Sequence, residues 1–354
     1  MTDPNAVWSA VTGSAASGAV ARDGRPRMAG VRHLRDHTWS PRERAVLIAV
    51  LTIVAGSLFL ATYTLALGDP VPHRIPVALV GDPAPDARTL EAVEQAADDS
   101  VAFQRYESAT AARSAIDQQR VYGALDLTSA RPTLYLASAA GASVARVLEG
   151  VSATDPGVRV IDTHPLFASD PNGLDVFYLM LIATIVGFLT IFQVRANAGG
   201  LRLRQWTTFV LGFALAAALV LTLVVGPVLD RLHVPVAETW GILALHILAV
   251  ASFASLMAVM IGRWAILPVW LVFVVLGNSS SGGAVAPPLL PEPFALVSQW
   301  LPSGATVTSL RDAIYFSDYQ HARPVLVLAA WATALFVAML AVSRRRRMSP
   351  GGAS

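Results

Sequence analysis

Few side chains in this chain could do chemistry, and they are scattered. His246 sits inside a long apolar run, where an ionisable residue is a functional candidate by default. Two readings stand for it: a polar pathway, or a neutral imidazole bonded to a neighbouring helix. Asp162 and His164, with Asp170 and Asp175 downstream, offer metal-ligating groups. A metal site needs converging ligands and an outer shell that orients them, and solvated joint residues are the plainer reading. Ser279, Ser280 and Ser281 precede Gly282 without the strand, elbow and helix that would expose a nucleophile. Neither G-x-S-x-G nor H-E-x-x-H occurs. There is no cysteine, which excludes disulfides and thiolate chemistry. All 26 basic residues are arginine, so no phosphate-binding loop with its lysine is present. Any ATP that drives this protein is bound by another chain. The expectation is no enzyme, no catalytic or metal-binding residue, no cofactor and no nucleic acid, since the arginines form no continuous stripe.

The elements around these residues belong to a membrane. The chain is 54% hydrophobic and only 14% charged, where a soluble domain carries about 25% charged residues. Ala45–Leu67, Leu174–Val194, Trp206–Leu229, Ala237–Ile261 and Pro324–Ser343 are each long and apolar enough to cross about 30 Å of hydrocarbon. Trp264–Gly277 is too short by itself and needs its neighbours to complete it. The cores of these six runs contain no Asp, Glu or Arg, each of which costs about 2.5–3.5 kcal/mol at a helix centre.

Arginine sets the expected orientation. Arg22, Arg25, Arg27, Arg32, Arg35, Arg42 and Arg44 precede the first run. Arg195, Arg202 and Arg204 lie between the second and third, Arg263 between the fourth and fifth, and Arg344 to Arg347 after the last. With six spans all four places fall on one side, the cytoplasm by the positive-inside rule. The expected organisation is a cytoplasmic tail over 1–44, with a weak stripe at 28–40 that suits an interfacial helix. A first transmembrane helix over 45–67, an extracytoplasmic α/β domain over 68–173 and a five-helix membrane domain over 174–343 follow. A basic cytoplasmic tail over 344–354 ends the chain. Residues 1–30 read as disordered.

The outside domain alternates strand and helix patterns. Strands are predicted over Arg74–Val80, Val101–Tyr106, Tyr122–Leu127, Thr133–Ala137 and Val158–Asp162, and helices over Asp86–Ala97, Ala109–Gln119 and Ala142–Val151.

The segment 278–323 mixes breakers with apolar residues. Asn278, the three serines, Gly282, Gly283, Pro288 and Pro291 come first, and Leu301, Pro302, Ser303 and Gly304 later. Between them Phe294, Val297 and Trp300 share one helical face, and Val307, Leu310 and Ile314 another, with Arg311 and Asp312 directed elsewhere. Ser303 is placed to cap the second helix. This predicts a re-entrant hairpin of two short helices before the last span. Non-helical backbone at membrane depth survives only when shielded by protein or a polar cavity.

These residues, with the ending Leu310-Arg311-Asp312-Ala313-Ile314-Tyr315-Phe316, resemble the last extracellular segment of the ABC type-2 exporter permeases, in the branch that includes the phage-infection-protein-like membrane proteins. Tyr122 to Leu125 after a helix also resembles that family's ectodomain. The resemblance implies a dimerising permease subunit in a bacterial plasma membrane that exports an apolar or amphipathic substrate. Its partners would be a cytoplasmic ABC ATPase, a second copy or a related permease, and membrane lipid. It places the outer gate at Asn278, Gly282, Gly283, Pro291, Phe294, Trp300, Pro302, Gly304 and Arg311. The ATPase would dock on the turn with Arg195, Gly199, Gly200, Arg202 and Arg204. This ectodomain is smaller than in the long members of that branch. The alternative is a non-transporting surface receptor or envelope assembly factor acting through the ectodomain.

Overall fold

The computed structural model describes residues 40–68, 72–81, 100–129, 131–152, 157–198 and 200–348. The expectations for the tail before Ser40, the helix at 86–97, Gly199 and the last residues of the chain lie outside the described residues. The chain divides into two compact units, Met1–Leu51 and Thr52–Ser354. Helix α1, Pro41–Leu67, begins in the first. There the Ser40 hydroxyl accepts from the Glu43 amide at 3.2 Å, and the Glu43 carboxylate accepts from the Ser40 amide at 2.7 Å. This reciprocal pair satisfies two otherwise orphan donors at the helix start.

In the second unit, five strands form one sheet: β1 Ile75–Val80, β2 Val101–Tyr106, β3 Gly123–Asp126, β4 Thr133–Leu136 and β5 Arg159–Asp162. Their order is β2-β1-β3-β4-β5. All neighbours are parallel except β3 and β4. Every predicted strand is present, with ends moved by one residue at most. Helix α2, Ala109–Asp117, packs Ala112, Ala115 and Ile116 on the face that carries Ala78, Val80 and Ala124. Helix α3, Ala142–Ser152, packs Val144 and Leu148 on the face that carries Val77, Leu79 and Leu125. The two-residue alternation along β1 therefore serves two cores.

Neither core is closed by the α/β domain's own residues. Val285, Ala286, Leu289 and Leu290 are buried with α3 and its sheet face, and Phe316 with α2 and the other. The His73 amide donates to the Pro288 carbonyl at 2.8 Å. The sequence pattern draws the domain at 68–173 as a separate globular unit. The structure lays part of the hairpin segment against both of its faces, because those apolar side chains find sheet surface to cover.

Among the described residues, five helical stretches are long and apolar enough to cross a membrane: Pro41–Leu67, Asp175–Asn197, Leu203–Val228, Val236–Ser279 and Ala322–Arg346. Here they are α1, α4 (Asp175–Asn197), α5 (Leu203–Leu223, extended by a wide turn through Pro227), α6 (Val236–Ile261) with α7 (residues 266–279), and α10 (Ala322–Met348). The fourth stretch is folded in two. Gly262 adopts φ +62°, a backbone conformation that side chains disfavour, and Phe253 then meets Phe273 edge-on with ring centroids 5.6 Å apart. Twenty residues of straight helix would hold them about 30 Å apart. The short run after Trp264 is thus a helix that returns beside α6. It passes Pro268 and a widened π segment, Trp270–Leu276.

The ectodomain's exit is fixed to the bundle by charge. Asp170 is buried and caps α4, accepting from the Leu174 and Asp175 amides at 3.0 Å each. Asp175 takes a forked ion pair from Arg231, at 2.9 and 3.3 Å, and Ser169 donates to the Arg231 carbonyl. Burial pushes the Asp170 carboxyl above the usual carboxylate range, although the two amides pull it down. A raised folded-state pKa gives a stability contribution that is complete below the unfolded pKa and declines as pH rises through the folded one. Asp170→Asn keeps one acceptor oxygen and carries no charge. Its Tm, measured by thermal melts of solubilised protein from acid to neutral pH, should therefore depend less on pH than that of the parent. Equal slopes would remove Asp170 from the account.

Candidate functional site at the outer hairpin

The predicted hairpin is two helices, α8 (Glu292–Ser298) and α9 (Pro302–Tyr315). The breakers before it are walled in: Asn278 to Gly283 are all buried. On α8, Phe294 packs toward the ectodomain core, while Leu296, Val297 and Trp300 are exposed. An exposed tryptophan beside a polar surface suits a membrane interface. Pro291 supplies the extended residue before α8. The Trp300 carbonyl accepts from the Trp331 indole at 2.8 Å.

Two details of α9 differ from the sequence expectation. Ser303 does not cap it. Leu301 occupies the N-cap in extended conformation, Pro302 takes the first turn, where its missing N–H costs nothing, and the Ser303 hydroxyl is buried without a partner. Nor does one stripe face the protein with Asp312 directed away. Ser303, Thr306, Ser309 and Asp312 are as buried as Val307 and Leu310, because α9 is surrounded by bundle, ectodomain and breaker loop. Gly304 shows how closely: a β-carbon there would lie 2.0 Å from the Ser298 carbonyl oxygen.

Two polar contacts tie α9 in different directions. Toward the bundle, Thr306 Oγ1 lies 2.8 Å from His246 Nδ1, and Thr184 Oγ1 on α4 lies 2.8 Å from His246 Nε2. One imidazole thus joins α4, α6 and α9. Each threonine can also donate to the carbonyl four residues back, Pro302 at 2.7 Å and Met180 at 3.1 Å. A neutral imidazole has one donor and one acceptor. One threonine therefore gives its proton to the ring, and the other accepts from the ring while keeping its backbone bond. A neutral, bonded ring can use both contacts in this way.

Toward the ectodomain, buried Asp312 accepts from the Gln119 amide at 2.7 Å and the His321 backbone amide at 3.0 Å, with His321 Nδ1 at 3.1 Å. Gln119 follows α2 in a left-handed conformation, φ 51°. Arg311 donates to the Gly282 carbonyl at 3.3 Å. It lines a cavity of about 300 Å³ with Gln119, Tyr122, Gln299, Thr308 and Arg323 among others. Burial pushes the Tyr122 phenol above its usual range, and the Arg311 charge pulls it back. Asn278 lies beside Tyr63 of α1, yet neither its oxygen nor its nitrogen reaches hydrogen-bonding geometry.

The residues of the basic turn gather at the other end of α4, whose 23 residues span about 34 Å. Arg195 lies over the Trp206 ring at 5.5 Å, the Arg202 amide donates to the Gln205 side chain at 2.9 Å, and Arg204 and Gly200 are exposed. Arg195, Leu201, Trp206, Ser343 and Arg346 line a cavity of about 380 Å³.

Other sequence candidates disperse. Asp162 accepts from Ser138, His164 meets Asp117 at 2.8 Å, and Asp170 and Asp175 hold the start of α4. Among the described residues, no group of three or more side chains could hold a metal ion. The hydroxyls of Ser279, Ser280 and Ser281 donate to backbone carbonyls. Sequence reasoning missed Thr184, Thr306, Gln119 and Asp312 as partners. The signal for the last was available: a carboxylate inside an apolar stripe must be paired or wet.

No family model, no curated protein and no solved structure matches the chain.

Thr306→Val should leave one ring nitrogen of His246 unpaired and lower stability by about 1 kcal/mol, near what membrane hydrogen bonds contribute. Asp312→Ala should cost about 2 kcal/mol and raise amide exchange at Gln119–Tyr122 and at 317–321. Thermal melts and hydrogen exchange in detergent check both. Unchanged exchange at Gln119 would mean that the carboxylate does not hold the ectodomain.

Proposed function

We propose that the chain is the transmembrane permease subunit of an ATP-driven exporter of an apolar or amphipathic substrate, working with a separate cytoplasmic ABC ATPase. One observation carries the reading: α9 is bonded at one face to the bundle through His246 and at another to the ectodomain through Asp312. A displacement of the bundle helices would therefore reach the outer surface through α9. In this reading the folded-back stretch at Gly262 makes six passes, both termini and the arginine-rich turns are cytoplasmic, and residues 278–323 form the outer gate. ATPase closure pushes the turn at Arg195–Gln205, α4 and α5 tilt, and the hairpin yields. ATP must bind the two states with different affinity for this to work. The chain performs no chemical step itself. Exposed Ile53, Leu60 and Leu65 on α1 offer surface to lipid and to a second copy or a related permease.

A second reading, a surface receptor or envelope assembly factor, is favoured by the shared core of ectodomain and hairpin, which suits a rigid anchored body.

Because the chain has no cysteine, single substitutions report topology directly. Glu107→Cys should react with an impermeant maleimide added to intact cells, and Arg204→Cys only after permeabilisation; the reverse pattern would invert the orientation. To separate the two functions, Arg202→Glu with Arg204→Glu should abolish co-purification of a cytoplasmic ATPase and reduce export while membrane insertion persists. Full activity in that variant would favour the surface role.

A further inference from the structure

The cavity under the ectodomain has an electrostatic character that neither reading of the whole protein uses. Two guanidinium groups line it, Arg311 from α9 and Arg323 from the start of α10, together with the His321 imidazole. No carboxylate lines it. The nearest acid, Asp312, is buried behind α9 and already accepts from Gln119 and His321. Neither arginine is in an ion pair among the described residues. Arg323 donates to the Gln299 side chain at 2.8 Å and lies over the Trp300 ring at 4.9 Å, which fixes it at the rim.

Arg311 is the more telling of the two. It is only partly exposed, and its one hydrogen bond among the described residues goes to the Gly282 carbonyl. A guanidinium has five N–H donors, so four remain without a protein acceptor. The charge of its chain neighbour Asp312 acts on it without forming an ion pair, and a partly buried cation without a direct partner is costly unless something pairs with it. Tyr122 lines the same cavity and carries a hydroxyl donor.

We infer that this cavity binds a phosphate group. Forked donors match tetrahedral oxyanions, and arginine is the side chain suited to them. A volume of about 300 Å³ is at the low end for ligand pockets and suits a headgroup better than an acyl chain. The phosphate can belong to a lipid, for which the exposed Leu296, Val297 and Trp300 beside the rim provide an apolar approach, or to a soluble phosphorylated compound. The inference does not depend on the exporter reading and holds equally for a surface protein.

The test is binding to the full chain in phosphatidylcholine nanodiscs, with dihexanoyl phosphatidic acid, glycerol 3-phosphate and neutral dihexanoylglycerol as probes. At least one phosphate probe should bind saturably and weaken as ionic strength rises. Arg311→Gln and Arg323→Gln should each weaken it about ten-fold, while Arg113→Gln, on the far side of α2 over Tyr135, leaves it unchanged. Arg323 is exposed, so its replacement tests the site even if Arg311→Gln fails to fold. Binding of phosphatidic acid alone identifies a lipid headgroup, and equal binding of glycerol 3-phosphate identifies a soluble ligand. Neutral dihexanoylglycerol binding as well as phosphatidic acid, or Arg323→Gln leaving the affinity of both phosphate probes unchanged, overturns the inference.

Discussion

Peptide groups that leave a helix inside a bilayer must find partners in protein, since hydrocarbon offers none. The arrangement around residues 278–301 would meet that constraint at membrane depth. The breakers that stop α7 are covered by α4, α9 and the ectodomain, their serine hydroxyls turn back to nearby carbonyls, and the segment after them lies on the sheet. The ectodomain is therefore more than an appendage on the bundle. It is part of the wall around this turn, and the loop in turn completes one of the domain's two cores while Phe316 completes the other.

The same constraint explains the spacing of charge. Along α4, α5, α6 and α7 the apolar pattern is unbroken, and charged groups collect at the ends. Asp170, Asp175 and Arg231 join the outer ends of three elements. Arg195 stacks on Trp206 at the opposite end, and Arg346 donates to the Met260 carbonyl. Position along the helices, and not only residue type, separates the ion pair at one end of the bundle from arginines that meet a ring or a backbone carbonyl at the other.

Much of this was legible in the residue pattern. The alternation of strand and helix patterns marked the five strands, the long apolar runs marked the helices, and the breakers at 278–291 and 301–304 marked the hairpin. Each of these signals is local. What the sequence could not reveal was contact across distance: that Leu289 and Leu290 face a sheet instead of lipid, that Asp312 reaches Gln119, and that His246 finds a threonine on either side. Such partners are set by how elements converge, and no spacing within one segment records them. The expectation for Ser303 failed for a local reason as well, because Pro302 already serves the first turn of α9.

The Thr184–His246–Thr306 triad has a mechanical consequence. In water, a stretched hydrogen bond is replaced by solvent and gives way gradually. Thr184, His246 and Thr306 are fully buried, out of reach of bulk solvent, and bond strength falls steeply once distance and angle depart from the optimum. The triad therefore works as a detent: α9 is either seated against the imidazole or free of it, with little of the travel between available as a resting position.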